Sequence, residues 1–346
     1  MPPPLFTALL LHWFHQHGRK TLPWQEDIHP YRVWVSEIML QQTQVKTVIP
    51  YFERFMQRFP DLASLAAATQ EEVLFYWAGL GYYARGRNLH HAAQKIMRDY
   101  GGCFPQELAA LQSLPGLGRS TASAILAICN GQRLPILDGN VKRVLSRYFG
   151  ISGYPGDKKV EALLWQKAAD LLPHADIPAY TQAIMDLGAL ICLPRNPQCC
   201  KCPVQKDCFA LQHQQTSTLP TAKPKKAYPT KEAYFALILQ DDKLLLEKRP
   251  PKGIWGGLWC PPEFDTKAEL TTFLQGYPAT ASETRTHLFT HYRLLFTPYW
   301  AKVDTQFCHD KNQVWIPMSN LGSQPVARPI QILLHAAPLL QKKMSL

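Results

Sequence analysis

The chain has 346 residues, which is enough for two domains at about 150 residues each. Hydrophobic residues make up 46% of it and charged residues 18%, so the composition excludes a disordered chain. Its net charge of +11 favours an anionic partner such as nucleic acid. No apolar run approaches the roughly 20 residues of a membrane-spanning helix, and nine cysteines are too few for a disulfide scaffold. We therefore exclude secreted and membrane classes and expect a cytoplasmic protein.

The first two hundred residues have the pattern of helices separated by Pro and Gly. An apolar-periodic run at residues 33–49 predicts a helix, and Pro50 is expected to open the next one. Residues 114–118 (LPGLG) predict a tight connection between two helices, and Asp138 is placed to begin a further helix. This part of the chain is therefore mainly α-helical.

The composition changes after residue 212. Residues 213–229 are rich in Gln, Thr, Pro and Lys and predict an exposed linker. Strand patterns follow at 233–239, 244–247 and 292–303. A final helix is expected after Pro329. The sequence thus predicts a mainly α domain at 1–212, the linker, and a small α+β domain at 230–346.

Four cysteines with the spacing C-x6-C-x2-C-x5-C suggest a metal centre: Cys192, Cys199, Cys202 and Cys208. Short loops between them allow four thiolates to converge on one group. A set of four cysteines serves zinc as well as iron–sulfur clusters, so the residues alone leave both open. Cys200 does not fit the spacing.

Two further segments carry residues suited to DNA chemistry. In residues 114–122, Gly116 and Gly118 allow backbone to approach phosphate closely at a helix N-terminus, although a plain turn between helices fits too. At Asp138, a structural role as a helix N-cap would by itself explain the residue. In residues 35–45 (VSEIMLQQTQV), Glu37, Gln41 and Gln44 are expected on one helix face, where a lone Glu is normally solvated.

Together these motifs resemble the helix-hairpin-helix DNA glycosylases similar to endonuclease III, whose iron–sulfur loop has the cysteine spacing of residues 192–208. Residues 35–45 resemble the MutY-type, adenine-excising branch almost residue for residue. Further segments match the same branch in order, at 18–25, 79–85 and 180–188. The resemblance implies a helix-hairpin-helix glycosylase fold for 1–212 and one [4Fe–4S] cluster on the four cysteines.

The resemblance also implies roles for single residues. Glu37 would be the general acid, and Asp138 the anion that stabilises the sugar cation. Gly116 and Gly118 would contact DNA phosphates. The expected substrate contacts in this domain are Leu22, Trp24, Gln42, Tyr82, Ser120, Asn140 and Gln182. Of these, Gln42 and Tyr82 would be wedges in the base stack. The alternative for Gln42 is an ordinary residue on a helix surface, and the alternative for Tyr82 is an aromatic residue of the core.

Ser120 separates this chain from endonuclease III itself. Bifunctional enzymes of that type carry Lys at this place, whose amine attacks the sugar, and a serine hydroxyl cannot form a Schiff base. Base removal without strand cleavage is therefore expected.

The C-terminal domain resembles a Nudix fold without its metal-binding box. Residues 255–259 (WGGLW) are followed by Cys-Pro-Pro-Glu instead of a Glu-rich helix, so hydrolase activity is not expected there. Phe289, Thr290 and His291 resemble the loop that contacts oxidised guanine in MutY-type enzymes, although an ordinary strand end would fit the tripeptide as well.

The sequence therefore predicts a monofunctional DNA glycosylase for base excision repair. It would hydrolyse the bond to adenine mispaired with 8-oxoguanine or guanine in double-stranded DNA. We expect a monomer in the cytoplasm, or at the nucleoid if the source is bacterial. The alternatives are an endonuclease III-like glycosylase/lyase for oxidised pyrimidines, which Ser120 opposes, and a non-catalytic zinc protein that binds DNA, which the pair Glu37 and Asp138 opposes.

Overall fold

A computed structural model describes residues 4–224, 228–251 and 253–343, with side chains up to residue 335. Its contacts divide the chain into two units. The first contains the residues up to Ala67 and those from Asn88 to the linker, and the second contains Ala68–Arg87 with the residues after the linker. In the described ranges, no helix is long and apolar enough to cross a membrane.

Helices dominate the first unit and border the sheet of the second. Their bounds are α1 (Leu5–His17), α2 (Pro30–Leu40), α3 (Val45–Arg58), α4 (Leu62–Ala67), α5 (Gln70–Trp77), α6 (Ala84–Asp99), α7 (Leu108–Gln112), α8 (Arg119–Asn130), α9 (Gly139–Phe149), α10 (Lys158–Asp170), α11 (Ile177–Asp186), α12 (Phe209–Gln212), α13 (Lys267–Phe273) and α14 (Arg328–Lys343). A π-helical turn (Leu187–Ile191) continues α11. The expected mainly α fold is confirmed.

The predicted helix over residues 33–49 is wrong in its extent. α2 ends at Leu40, and Gln42 adopts a left-handed backbone (φ 59°) that breaks the helix. Gln44 is the N-cap of α3, so it does not share a helix face with Glu37. Pro50 lies inside α3 instead of opening it. The apolar period continues across the break because both helices bury one face, and periodicity does not register a short turn.

The core of the first unit is aromatic. Trp34 on α2 packs edge-on against Phe104, and the hydroxyl of the buried Tyr31 donates to the Phe59 carbonyl at 2.7 Å. α2 also packs on α3 and α8, while α11 packs on α1 and α8. Each fully buried large apolar side chain contributes about 1.5–3 kcal/mol. This packing fixes α2, α8 and α11 around one pocket.

The second unit is built on a mixed eight-stranded sheet. Its strands are β1 (Thr230–Gln240), β2 (Lys243–Lys248), β3 (Trp259–Cys260), β4 (Glu263–Phe264), β5 (Ala279–Ala281), β6 (Arg285–Leu288), β7 (Arg293–Lys302) and β8 (Gln313–Pro317). The central order is β3-β2-β1-β7-β5, in which β1 and β7 are parallel and the other pairs antiparallel. The three predicted strands and the predicted final helix are all present.

The core of this unit lies between the sheet and α13. Its members are Ala236, Ile238, Leu245, Leu270, Leu274, Ala301, Val303 and Phe307. Residues 225–227 of the predicted linker lie outside the described residues. The limits 1–212 and 230–346 remain a prediction, and residues 68–87 share their unit with the sheet.

Candidate active site

A pocket of about 220 Å³ opens among α1, α2, α8, α11 and the loop after α1. Its wall includes the predicted residues Glu37, Trp24 and Gln182, together with apolar side chains such as Val33 and Ile128. At about 30 Å³ per water molecule, the pocket has room for a flat group of several heavy atoms. Leu22 lies in the same loop but outside the lining.

Glu37 is presented to the pocket by α2. Val35 and Met39 on the same helix are fully buried, which fixes the rotation of the helix and turns Glu37 toward the cavity. Burial raises the pKa of Glu37 to about 7, and the neighbouring Asp138 carboxylate adds to the shift. Both causes oppose ionisation. Glu37 can therefore hold a proton near neutral pH.

Asp138 is the N-cap of α9, and its Oδ1 accepts the Val141 N–H at 2.8 Å. Its Oδ2 accepts from Asn140 Nδ2 at 3.2 Å. Burial raises the pKa of Asp138, while these donors and the Arg143 guanidinium act in the opposite direction and favour the anion. The N-cap role and a place beside Glu37 are thus compatible: the same helix end positions the carboxylate and supplies its donors.

Asn140 extends this network toward the cysteine loop. Its Oδ1 accepts from Arg143 Nη2 at 2.8 Å, and Arg143 Nε donates to the Cys192 carbonyl at 2.7 Å. Arg143 Nη2 also donates to the Gly188 carbonyl at 2.6 Å. A side chain at Gly188 would collide with Asn140, at 2.6 Å from its Cβ. The motif around Asp138 and the cysteine loop are therefore joined by one arginine that the sequence analysis did not single out.

The hairpin holds the segment before Asp138. Gly116 has a left-handed backbone (φ 81°) and packs against Asn88, while Gly118 is the N-cap of α8. Both glycines are solvent-exposed. Ser120 Oγ accepts the Leu137 N–H at 2.9 Å. The serine hydroxyl therefore fixes the residue that precedes Asp138.

A buried ion pair supports the pocket loop. Asp186 accepts the backbone N–H of Arg19 at 2.7 Å, and its other oxygen accepts Arg19 Nε at 2.9 Å and Nη2 at 2.5 Å. The Asp186 side chain is 2% exposed and the Arg19 side chain 25%. Gln25 Nε2 continues the contact by donating to the Arg19 carbonyl at 3.1 Å and to Gln182 Oε1 at 3.5 Å. Both members of the pair lie in motifs noted in the sequence, but their pairing could not be read from spacing.

The four predicted cysteines line one further cavity, and Cys200 does not. All nine cysteines are free. Across the described ranges, no three His, Cys, Asp or Glu side chains converge as they would on a single metal ion. Arg147 is buried beside the cavity, with Nη1 at 3.3 Å from Cys192 Sγ. Burial raises the pKa of Cys202 to about 12, so ionisation of this thiol requires a compensating positive group.

Four further predicted contacts, Tyr82 and residues 289–291, lie in the second unit. Tyr82 is 45% exposed, with a left-handed backbone (φ 47°). It is not a core aromatic. Thr290 and His291 are exposed at the end of β6, with Thr290 Oγ1 at 3.4 Å from His291 Nδ1. Phe289 is partly buried and stacks on Tyr292 at 4.7 Å between ring centroids.

Comparison with known proteins agrees with this architecture. Residues 35–170 match the family model described as "HhH-GPD superfamily base excision DNA repair protein", and residues 233–336 match a NUDIX domain. The solved structure of a thermostable thymine-DNA glycosylase is 28% identical and superposes with a TM-score of 0.55 over 60% of this chain and 96% of that one. Endonuclease III bound to DNA has the same fold, with a TM-score of 0.51 at 20% identity over 60% and 94% of the two chains. Fold and site define a helix-hairpin-helix DNA glycosylase with a Nudix-like second domain.

Full-length relatives narrow the class. The adenine DNA glycosylase of Buchnera aphidicola (subsp. Schizaphis graminum) is 38% identical over 96% of this chain and 98% of its own length. The mouse enzyme is 36% identical over 86% of this chain and 71% of its own length. The human enzyme is 35% identical over 87% of this chain and 67% of its own length. The chain belongs to the adenine DNA glycosylase family, whose members hydrolyse the N-glycosyl bond of adenine in base excision repair.

The raised pKa of Glu37 predicts the pH dependence of excision. A general acid must be protonated, so the single-turnover rate should be highest below about pH 7 and fall about tenfold per unit above it. Glu37→Gln should lose about 10²–10⁴-fold in rate and keep its affinity for duplex DNA. Glu53→Gln, on the exposed face of α3, is the matched control. A flat profile between pH 5 and 9 in the wild type would remove Glu37 from this role.

Asp186→Asn should destabilise the pocket loop. The amide keeps the shape of the carboxylate but loses its charge and turns a donor toward Arg19, a loss of about 1.5–3 kcal/mol for hydrogen bonds to a charged group. Urea unfolding measures this free energy. Asp170→Asn, whose side chain is 52% exposed in its pair with Lys167, should cost less than about 0.5 kcal/mol. Equal effects of the two substitutions would contradict the assignment.

Proposed function

We propose that this glycosylase removes adenine from pairs with 8-oxoguanine or guanine in double-stranded DNA, as a monomer and without cutting the strand. The observation that carries the proposal is Glu37 at the wall of a small pocket, with its pKa raised to about 7 by burial and by the charge of the N-capping Asp138. The nine free cysteines agree with a reducing compartment, for which we infer the cytoplasm.

The chemistry follows from the two carboxyl groups. Adenine is a poor leaving group until a ring nitrogen is protonated, and Glu37 carries a transferable proton near neutral pH. Departure of the base leaves an oxocarbenium-like sugar, which the Asp138 anion stabilises or captures. Glu37, now deprotonated, can then activate the attacking water, as in other two-carboxylate glycoside hydrolyses. The flipped base is held by the pocket wall, with Trp24 as an apolar surface and Gln182 as a hydrogen-bonding group.

Ser120 supports a hydrolytic enzyme without lyase activity. A lyase needs an amine that forms a Schiff base with the sugar. Ser120 supplies a hydroxyl, which accepts the Leu137 N–H and so supports the segment before Asp138. The Lys142 amine, which follows Asp138 by four residues, donates to Glu161 at 2.7 Å and is therefore engaged in an ion pair. The product is therefore an intact strand with an abasic site.

Exposed backbone features support the DNA-contact roles. Gln42 and Tyr82 both have left-handed backbones at exposed positions, a conformation that is uncommon for residues other than glycine. We assign them to the base stack as wedges, which offset the few kcal/mol that base flipping costs. Gly116 and Gly118 expose backbone at the start of α8, where N–H groups favour a phosphate.

Phe289, Thr290 and His291 are the residues proposed to recognise the opposite base. 8-Oxoguanine differs from guanine by a carbonyl and a ring N–H, which only nearby polar groups can distinguish. Thr290 offers a hydroxyl and His291 a ring nitrogen, both exposed. Phe289 anchors the loop through its stacking on Tyr292.

We assign one [4Fe–4S] cluster to Cys192, Cys199, Cys202 and Cys208. The four cysteines line a common cavity and have the spacing of the iron–sulfur loop in endonuclease III-like glycosylases, and the buried Arg147 guanidinium offsets thiolate charge. When bound, such a group cross-links its loop and supplies one-electron redox chemistry. The residues of this chain then position the loop: Arg143 holds the Cys192 carbonyl, and Arg147 holds the carbonyls of Leu193 and Pro194.

Single-turnover excision on labelled duplexes tests the function. Adenine opposite 8-oxoguanine should be removed fastest, adenine opposite guanine more slowly, and adenine in a normal pair with thymine least. The product strand should break only on alkali or heat, and borohydride should not trap the wild type efficiently. Thr290→Ala should narrow the 8-oxoguanine preference by about two- to tenfold, the value of one net hydrogen bond, whereas Thr286→Ala, on the exposed face of β6, should not.

Two outcomes would overturn parts of the proposal. Strand nicking at neutral pH with efficient trapping would return the enzyme to the bifunctional class. If Thr290→Ala reduces the excision rate equally on both mispairs, residues 289–291 do not recognise the opposite base. All duplexes are compared at one salt concentration, because phosphate contacts make affinity salt-dependent.

Replacing one cysteine tests the cluster. The purified protein should show broad visible absorbance and contain about four iron and four sulfide per chain, as [4Fe–4S] requires. Cys199→Ser should lose both signals and stability, while Cys200→Ser, outside the cavity, should keep them. A colourless protein with one zinc per chain would overturn the assignment.

A further inference from the structure

Residues 70–87, which carry the proposed wedge Tyr82, are attached to the Nudix-like part of the same unit. On α5, the Glu71 carboxylate accepts Lys248 Nζ at 2.5 Å and Trp259 Nε1 at 2.7 Å. At the start of α6, Arg87 Nη1 donates to the Gly256 carbonyl at 2.7 Å. The two attachments lie on either side of Tyr82 in the sequence.

The partner surface is the turn at residues 255–259. Gly257 has a left-handed backbone (φ 77°), and a Cβ there would lie 3.1 Å from Leu74 Cδ1, so this backbone approaches α5 closely. Gly256 has no space for a side chain either, because its Cβ would lie 2.6 Å from the Pro251 carbonyl oxygen. In the WGGLW segment, Gly257 thus allows the turn to contact the helix, and Gly256 allows the turn to fold closely against Pro251.

The Tyr82 turn itself is held in shape by Arg85. This arginine is buried and donates to the carbonyls of Gly81 at 3.2 Å and Leu80 at 3.4 Å. Its guanidinium also lies over the rings of Tyr82 (5.4 Å) and Trp77 (5.5 Å). A displacement of α5 or of the start of α6 would therefore be transmitted to the Tyr82 ring.

The same turn contacts the proposed guanine-recognition loop. Trp255 is buried in a left-handed backbone conformation (φ 53°), and its ring lies 5.6 Å from Phe289 and 5.9 Å from His287. Residues 255–259 thus contact the Phe289 loop through Trp255 and the Tyr82 segment through Gly256, Gly257 and Trp259.

We propose that residues 255–259 connect recognition of the opposite base to insertion of Tyr82. The turn holds the Tyr82 segment at a fixed distance from Thr290 and His291, so contact of the loop with 8-oxoguanine stabilises the inserted tyrosine in the base stack beside it. This inference rests on the proposed roles of Tyr82 and of residues 289–291. It makes Glu71 and Trp259 positioning residues for discrimination between the two mispairs.

A double-mutant cycle tests the connection. Dissociation constants are measured for A:8-oxoguanine and A:G duplexes in a Glu37→Gln background, so that the substrates stay intact. Glu71→Gln should weaken binding to A:8-oxoguanine by about three- to tenfold, the range of a charge-assisted hydrogen bond at a partly exposed site, and binding to A:G by less. In a Tyr82→Ala background the same substitution should have no further effect.

Two further variants distinguish loss of the Glu71 contact from general destabilisation of the protein. Trp259→Phe removes the indole N–H toward Glu71 while keeping an aromatic ring, and should behave like Glu71→Gln. Lys243→Ala removes another exposed lysine of β2 and should leave both constants unchanged.

The failures are distinguishable. If Tyr82→Ala alone leaves binding and excision unchanged, the proposed wedge is wrong and this inference fails with it. If Tyr82→Ala impairs binding but the effects of Glu71→Gln add to it in full, or if Glu71→Gln reduces both mispairs equally, the wedge stands and the connection is overturned.

Discussion

The site depends on one constraint: the Glu37 carboxyl is withdrawn from water. Beside it lies a second carboxyl, that of Asp138, which accepts hydrogen bonds from N–H groups. Desolvation raises the pKa of Glu37 to about 7, whereas the amides at the start of α9 and the Arg143 guanidinium favour the Asp138 anion. The raised pKa of Glu37 requires tight packing around α2, so that this carboxyl reaches bulk water only through the pocket. Burial of Val35, Ile38 and Met39 achieves this, so the core of the helical unit determines the acidity of Glu37.

Arginines connect the parts that surround this pair. Arg19 ties the pocket loop to the end of α11 through the buried Asp186, and Arg143 ties the Asn140 motif to the cysteine loop through Gly188 and Cys192. A guanidinium suits both tasks because its planar set of N–H groups reaches several acceptors at once. Breaking one end of such a contact leaves a desolvated partner, so the cost exceeds that of an exposed ion pair. Arginine contacts thus support the segments that surround the pocket.

In the second unit, residues 255–259 of the Nudix-like domain have a structural role. The WGGLW segment is not followed by a Glu-rich stretch, and its left-handed Gly257 permits close contact of the turn with Leu74 of α5. Trp255 meets Phe289 from the same turn. The loop proposed to recognise the opposite base and the segment that carries the proposed wedge Tyr82 therefore contact the same turn.

Sequence alone determined the family, the two kinds of fold and the candidate chemical groups, since the spacing of cysteines, the glycines of the hairpin and the residues around Glu37 are local patterns. It placed Asp138 correctly as an N-cap because capping is a short-range interaction. It misjudged the end of α2 and the place of Pro50, because two helices in succession can keep one apolar period across a turn. The pairing of Arg19 with Asp186, 167 residues apart, the pKa of Glu37 and the attachment of residues 70–87 to the turn at 255–259 were decided only by the tertiary structure. Each depends on which distant segments exclude water from a charge, and no local pattern contains that information.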